Sequence, residues 1–296
     1  PCRSVMKAWK VIRSVLWEVV KMRKLLSANF SRLWKAKVFW LCMGCMLVYS
    51  LVYMWNGCRQ AAALPEYHRS LDDYYFQFAL CIGAFCALFC SMFLGTEYSD
   101  GTIRNKIIVG HTRTEIYLAN FILAFAAGVI IMSVWLVGAL VAIPVLGTWE
   151  MGASALFLYL LVAVMFVGAF VSVFTCIAML CDNKAITIAI SIFLFLGLLI
   201  YASMLYNGLS QPQMTDNIEM TADGIKMGEP MPNPDYVGGT KRVVYQYVLD
   251  VLPTGQALQM WQLGIGSPFR PLASSVCIMV VMTLVGILLF QRKNIK

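Results

Sequence analysis

Six long runs without a single charge, separated by short polar intervals, set the organisation of this chain. The runs are Val38 to Trp55, Tyr74 to Leu94, Ile116 to Leu146, Ala153 to Leu180, Ala185 to Tyr206 and Leu272 to Phe290, and none contains Asp, Glu, Lys, Arg or His. About 20 apolar residues suffice for a helix to cross the hydrocarbon core. Separate segments of this length can satisfy their backbone groups in lipid only as helices. The pattern therefore predicts an all-α, polytopic membrane protein with six transmembrane helices. The third and fourth runs exceed what a bilayer requires, so they either tilt or continue into water.

The polar intervals predict further elements. In residues 22–37, Leu25, Leu26, Phe30, Leu33 and Trp34 recur at helical spacing among Arg23, Lys24, Arg32, Lys35 and Lys37. That arrangement predicts a helix at the membrane interface, its aromatic ring at headgroup level and its cations toward anionic lipid. Between the second and third runs, residues 95–115 hold Gly95-Thr96-Glu97-Tyr98-Ser99-Asp100-Gly101-Thr102-Ile103-Arg104-Asn105-Lys106. Ser99 to Thr102 reads as a capped turn. Thr102 to Val109 reads as a short helix with Ile103, Ile107 and Ile108 on its apolar side, ended by Gly110. Such a helix is held by turns at both ends, whereas a mere connector could be shorter. Glu97 sits just beyond hydrocarbon, either bridged to a basic group on a neighbouring helix or the arm, or solvated at a helix end. Asp182-Asn183-Lys184 forms the tip of a tight hairpin between the fourth and fifth runs. Pro144 falls where it can terminate the third helix. In the segment 207–271, residues 207–239 read as irregular. A helix capped by Thr240 runs to Leu252 and stops at Pro253, and a second covers Thr254 to Leu263. Val243, Val244, Tyr247, Val248 and Val251 give the first an apolar stripe suited to the membrane interface.

Composition and charge add orientation. The chain is 60% hydrophobic and 13% charged, against roughly 25% charged for soluble domains. The side that carries both termini holds 17 of the 23 Lys and Arg, and the other side holds 10 of the 15 Asp and Glu. The positive-inside rule makes the termini cytoplasmic. The net charge of +8 then reflects topology and calls for no nucleic-acid partner. The first apolar run starts too late, and lacks the cleavage pattern, for a signal peptide. Most cysteines lie in or at the ends of the runs and read as small packing residues, Cys42-x-x-Cys45 included. Cys58 stands alone in the outer loops, so no disulfide is expected there. His68 reads as a solvent-facing loop residue.

Two readings of residues 1–21 stand side by side. Trp17-Glu18-Val19 can be encoded by a stretch containing GGAGG, a bacterial ribosome-binding sequence, shortly before the codon of Met22. The segment is then a leader outside the working protein. Alternatively it is a basic amphipathic helix on the inner leaflet. The remaining organisation is the interfacial helix 22–37 and a six-span domain 38–296.

Several chemistries are excluded. The chain has no G-x-x-x-x-G-K-[ST] phosphate loop, so any nucleotide hydrolysis belongs to a partner and the chain itself is expected to be no enzyme. Its two histidines, His68 and His111, form no H-E-x-x-H pair. No pair of Asp lies in the spans for aspartyl chemistry. Neither a metal nor a cofactor is expected. Spans without carboxylates or His also lack the midplane groups that proton- and sodium-driven carriers commonly use.

Glu97, Gly101-Thr102, Arg104-Asn105-Lys106 and Gly110, placed after the second of six spans, resemble the permease subunits of ABC-2 type ABC transporters. Phe30-Ser31-Arg32-Leu33-Trp34-Lys35 and Leu252-Pro253-Thr254-Gly255-Gln256 resemble that family too. The resemblance implies a six-helix subunit in the cytoplasmic membrane that pairs with a second permease, identical or not, and docks separate cytoplasmic ATPases that drive export. It implies that Thr102 to Val109 is the coupling helix, with Glu97, Gly101, Thr102, Arg104, Asn105, Lys106, Gly110 and Arg113 as coupling residues. Asp182, Asn183 and Lys184 would form a second, smaller contact. The helices before the last span would help close the exit. Two other classes remain open on the residues alone. One is an ATP-independent secondary transporter or channel, and the other is an immunity-type membrane protein that binds without transporting.

Overall fold

The structure, a computed structural model, describes residues 20–294 except 65, 67–69, 148, 216–217, 222–223 and 228–229, and only the backbone of 218–221 and 224–227. His68 and nearly all of the 1–21 segment lie outside the described residues. Helix α1 covers 20–35. Ala36, extended at ψ 115°, separates it from α2, Lys37–Ala63. There follow α3 (Asp72–Tyr75), α4 (Phe78–Ser99), α5 (Thr102–Ile108), α6 (Arg113–Leu146), α7 (Ala153–Leu180) and α8 (Lys184–Ser210). Four short strands come next, β1 (Met214–Thr215), β2 (Ile218–Thr221), β3 (Gly224–Met227) and β4 (Met231–Pro232), and then α9 (Gly239–Val251), α10 (Pro253–Trp261) and α11 (Phe269–Arg292).

Among the described residues, six helices are long and apolar enough to cross a membrane: α2, α3 with α4, α6, α7, α8 and α11. Each contains one of the six predicted runs. The differences lie at the ends. Helix α2 continues past Trp55 to Ala63, so Cys58 is on a helix rather than in a loop. A backbone ladder does not stop where hydropathy falls. Pro144 sits inside the last turn of α6, which continues to Leu146 and ends at Gly147. The segment read as irregular contains two antiparallel ladders, β1 with β4 and β2 with β3, in nested register. Its Pro and Gly content hid a short period-2 pattern. Thr240 caps nothing; α9 starts at Gly239, behind the extended Gly238.

Helix α4 is the most buried span and packs against α2, α6, α7 and α8. In lipid the driving force between helices is close packing and hydrogen bonding rather than water exclusion, and both are present. The Ser91 hydroxyl donates to Ser191 at 3.0 Å, joining α4 to α8. The Ser50 hydroxyl donates to the carbonyl of Trp135 at 2.9 Å, joining α2 to α6. We call the side holding α1 and the end of α11 the terminal end, and the other the distal end. At the distal end, buried Asp72 accepts from the backbone of Glu150 (2.8 Å) and Met151 (2.9 Å), which pins the α6–α7 connection to the head of the second span.

At the distal end, α9 packs against α8 and α11, and α10 against α4, α7, α8 and α9. The stripe predicted for α9 is largely exposed at Val243, Val244, Tyr247 and Val251, as a lipid-facing surface requires, while Leu249 and Asp250 face inward. Helix α10 is buried from Pro253 to Met260. Pro253 opens it at the first helical position, where a missing N–H costs nothing. Thr254 donates to the carbonyl of Leu198 on α8 at 3.0 Å. A Cβ at Gly255 would lie 2.8 Å from the Cα of Leu249, a backbone atom that cannot step aside. Gly255→Ala should therefore destabilise the protein by about 1–3 kcal/mol through overpacking. Thermal unfolding in detergent measures this, and a variant as stable as the parent would show that α9 and α10 do not pack this closely.

Candidate functional site

Glu97 is the centre of a buried polar cluster at the terminal end. Its residue is fully buried at 0% exposure on the last turn of α4. One carboxylate oxygen, Oε1, pairs with Nη1 of Arg32 from α1 and with Nζ of Lys106 from α5 at 2.6 Å. The other, Oε2, accepts from Nδ2 of Asn120 on α6 at 2.7 Å. Asn120 in turn accepts from Asn29 of α1 at 3.1 Å. The Arg32 guanidinium also lies over the ring of Phe93, 4.1 Å from its centroid, a cation–π contact. One carboxylate thus ties four elements together. Two cations share one anion, and burial pushes the Lys106 ammonium below its ordinary pKa while Glu97 opposes that shift.

Local sequence places each partner. Helix α1 buries Leu25, Asn29 and Leu33, spaced four apart along one stripe. Arg32 lies beside that stripe. Helix α4 ends as Gly101 turns left-handed (φ 64°), and the Thr102 hydroxyl donates to the carbonyl of Glu97 at 3.1 Å. The predicted capping by Ser99 and Asp100 does not occur: Ser99 belongs to α4, and Gly101 occupies the N-cap of α5 without a side-chain bond. Helix α5 ends at Ile108 rather than Val109. Gly110 (φ 95°) terminates it in a Schellman arrangement, with Gly110 N–H bonded to the carbonyl of Ile107 (2.9 Å) and His111 N–H to that of Lys106 (3.1 Å). Thr112 and Glu115 then form a reciprocal capping box that starts α6.

The inner face of α5 is Ile103, buried at the foot of the bundle with Ile116, Tyr117, Met179 and Phe290. The other face is free: Arg104 and Asn105 are exposed, and Ile108 and Val109 are 74% and 76% exposed. Arg113 is not part of the Glu97 cluster. It turns to the end of α11, donating to the carbonyls of Phe290 (3.0 Å) and Gln291 (2.8 Å).

The hairpin tip forms a neighbouring group. Asp182 pairs with Lys293 at 2.6 Å. Asn183 caps α8, accepting from the backbone of Ala185 at 2.9 Å. Lys184 begins α8, its stem packed against α4 at Gly95. Sequence reading missed Asn29 and Asn120. Asn120 is the one amide in the third apolar run, a polar group in a lipid-length segment that needs a partner, and that signal was available.

A transmembrane helical bundle with a short, doubly capped helix welded to its foot defines a class of membrane transport subunit. The family model described as ABC-2 family transporter protein matches residues 25–200, and the chain belongs to that family. It is thus a multi-pass membrane protein, a permease of the ABC transporter type, and the family works with ABC ATPase partners in general. The matched stretch holds α1 from Leu25, the Glu97 cluster and α5, while α9, α10 and α11 follow it. No curated protein matches the chain.

Removing the Glu97 charge leaves Arg32 and Lys106 without their buried anion. Glu97→Gln should cost about 3 kcal/mol or more and release α1. Limited proteolysis at Arg23 and Lys24, read beside thermal unfolding, tests both effects. Unchanged cleavage and unchanged stability would mean that the cluster does not hold the arm.

Proposed function

We propose that this chain is the permease subunit of an ATP-driven exporter in the cytoplasmic membrane. The terminal end faces the cytoplasm, in keeping with the excess of Lys and Arg on that side. The chain pairs with a second permease subunit, and cytoplasmic ATPases bind beneath the pair. One observation carries this reading. Helix α5 is fixed at both ends, joined on its inner side to α1, α4 and α6 through Glu97, and left open on its outer side at Arg104, Asn105, Ile108 and Val109.

The mechanism follows from that arrangement. An ATPase seated on the outer face of α5 would push a helix that cannot yield alone. Lys106 moves Glu97, and Glu97 carries Arg32 with α1 and Asn120 with α6. Charge-assisted bonds shielded from water resist separation more than exposed ones, so the four elements would shift as one body. That shift is the step by which ATP-driven closure of the ATPases would open the bundle on the far side. Asp182 and Lys184, beside the same foot, are suited to a smaller second contact. Hydrolysis stays with the partner.

The double variant Ile108→Gln, Val109→Gln removes apolar surface that is about three-quarters exposed among the described residues. Its thermal stability and membrane level should match the parent, while its affinity for the ATPase falls about tenfold or more and ATP-dependent transport is lost. Co-purification with the ATPase and vesicle transport assays measure this. Full retention of both would sink the coupling role of α5. Labelling of Asn105→Cys by an impermeant thiol reagent in right-side-out vesicles would refute the orientation.

A further inference from the structure

Helix α11 is held in an unusual way. Of its residues only Pro271, Ser275, Gly286 and Phe290 are buried, two near each end, and none between 276 and 285 is. The helix leans on α7, but through a middle stretch whose side chains stay partly or fully exposed. Its polar attachments are also confined to its ends.

At the terminal end, Arg113 clasps the last turn. Its Nη1 donates to the carbonyls of Phe290, Gln291 and Lys293, which are orphan acceptors of a helix C-terminus. Gln291 donates to the Thr114 hydroxyl at 2.9 Å. Lys293 pairs with Asp182, donates to the carbonyl of Met179 at 3.2 Å, and lies 4.0 Å from the Tyr98 ring centroid. Arg113 is the first residue of α6, directly after the joint that ends α5.

At the distal end, Ser274 and Ser275 clasp the elbow between α9 and α10. Ser274 donates to the carbonyl of Asp250 at 2.7 Å, and Ser275 donates to Oε1 of Gln256 at 2.7 Å. Gln256 closes the ring, donating to Ser274 Oγ and to the Asp250 carbonyl, both at 2.9 Å. Asp250 further accepts from Gln246 and Gln259. The α9–α10 elbow is therefore held to the head of α11 by this ring and by Arg270, which pairs with Asp250 at 3.8 Å and lies 5.0 Å from the Tyr247 ring centroid. The base of α11 is held by Arg113 and Thr114 at the α5–α6 joint and by Asp182 and Met179 at the end of α7.

We propose that α11 is a connecting rod between the α5–α6 joint and the α9–α10 elbow, and that Arg113 is the positioning residue that engages it. A helix of 24 residues is about 36 Å long and axially stiff. Its polar bonds lie at its two ends while its length packs along α7, Met279 against Gly168, so a displacement of its base reaches its head along the helix axis. The purpose assigned to the rod rests on the exporter reading given above; its existence as a mechanical link does not.

The test uses the full-length protein in lipid nanodiscs, without nucleotide or partner, and reads amide hydrogen exchange. Arg113→Ala should raise exchange about tenfold at residues 253–260, the effect of losing a charge-assisted hydrogen bond, at a site a helix length away. Arg113→Lys, which still offers a cation to the same carbonyls, should return exchange toward the parent. Ser91→Ala, which removes a buried bond between α4 and α8, should leave 253–260 unchanged. If Arg113→Ala alters only 112–116 and 286–293, or if Ser91→Ala loosens 253–260 equally, the rod is overturned. Should Arg113→Ala fail to accumulate, Ser275→Ala reads the same link from the other end and must raise exchange at 286–293; no change there overturns it equally. In vesicles with the ATPase, Arg113→Ala should hydrolyse ATP yet transport poorly. Parent vesicles that transport nothing with ATP would defeat the exporter reading while leaving the exchange result intact.

Discussion

The arrangement of this protein depends on one buried carboxylate. Glu97 sits at the foot of the central span, with no exposure, and takes Arg32, Lys106 and Asn120 from three other elements. A lone ionised carboxylate in such a place would be untenable. It is tolerable because its two oxygens are occupied by charge-assisted donors, and the same requirement holds the donors where they are. Without it, α1 would keep the Asn29–Asn120 bond, the Lys21–Glu115 pair and the packing of Leu25 and Leu33, and α5 the packing of Ile103 and Ile107. Buried ion pairs are weak evidence for stability as such. Here the gain is positional, since each of the four elements has its place defined by a common atom group.

The terminal and distal ends solve the same problem by different means. Both must hold short helices against long ones where lipid gives no hydrophobic push between apolar surfaces. The terminal end uses ions: Glu97 with its cations, and Lys293 with Asp182. The distal end adds amides and hydroxyls, in the ring of Gln256, Ser274, Ser275 and the Asp250 carbonyl, to the carboxylates of Asp72 and of Asp250, the latter paired with Arg270 at 3.8 Å. The Glu97 cluster is shielded from water and holds its four elements as a unit, while the ring at the distal end fixes the α9–α10 elbow to the head of α11.

Much of this was legible in the chain, and the reasons for the rest are specific. All six spans were readable because the absence of charge over a bilayer's thickness is a strong constraint with one solution. A short helix from Thr102, read to Val109 and found to Ile108, was readable because Gly110 is the residue a left-handed C-terminal turn favours, whereas the capping expected of Ser99 and Asp100 was not realised. What local pattern could not reveal was direction. Glu97, Arg104, Lys106 and Arg113 look alike in a polar loop, yet Glu97 and Lys106 turn inward together, Arg104 faces out, and Arg113 reaches another helix nearly 180 positions along the chain. Helix α10 was read as a second helix, Thr254 to Leu263, with no face assigned to the core. Its burial arises from Gly255 and Pro253 fitting against α9 and from Thr254 fitting against α8, and these are contacts of tertiary origin.

Arg113 shows how the two ends are made into one machine. An arginine at the start of a span would ordinarily face water, and a helix N-terminus is the wrong end for a cation. Its position is unfavourable for α6 and favourable for α11, whose C-terminal carbonyls it collects. A residue that costs its own helix and serves its neighbour is better explained by the junction than by either helix. The junction lies between α5 and α11, whose head is bonded to the α9–α10 elbow through Ser274 and Ser275. Force applied at α5 then has two routes across the bundle. One passes through Glu97 into α6 and into α4, the most buried span, and would move the core. The other passes through Arg113 into α11, which packs along α7 and is bonded at its head to the α9–α10 elbow. On the proposed rod, the second route would reach the distal elbow along one helix, without first passing through the Glu97 cluster.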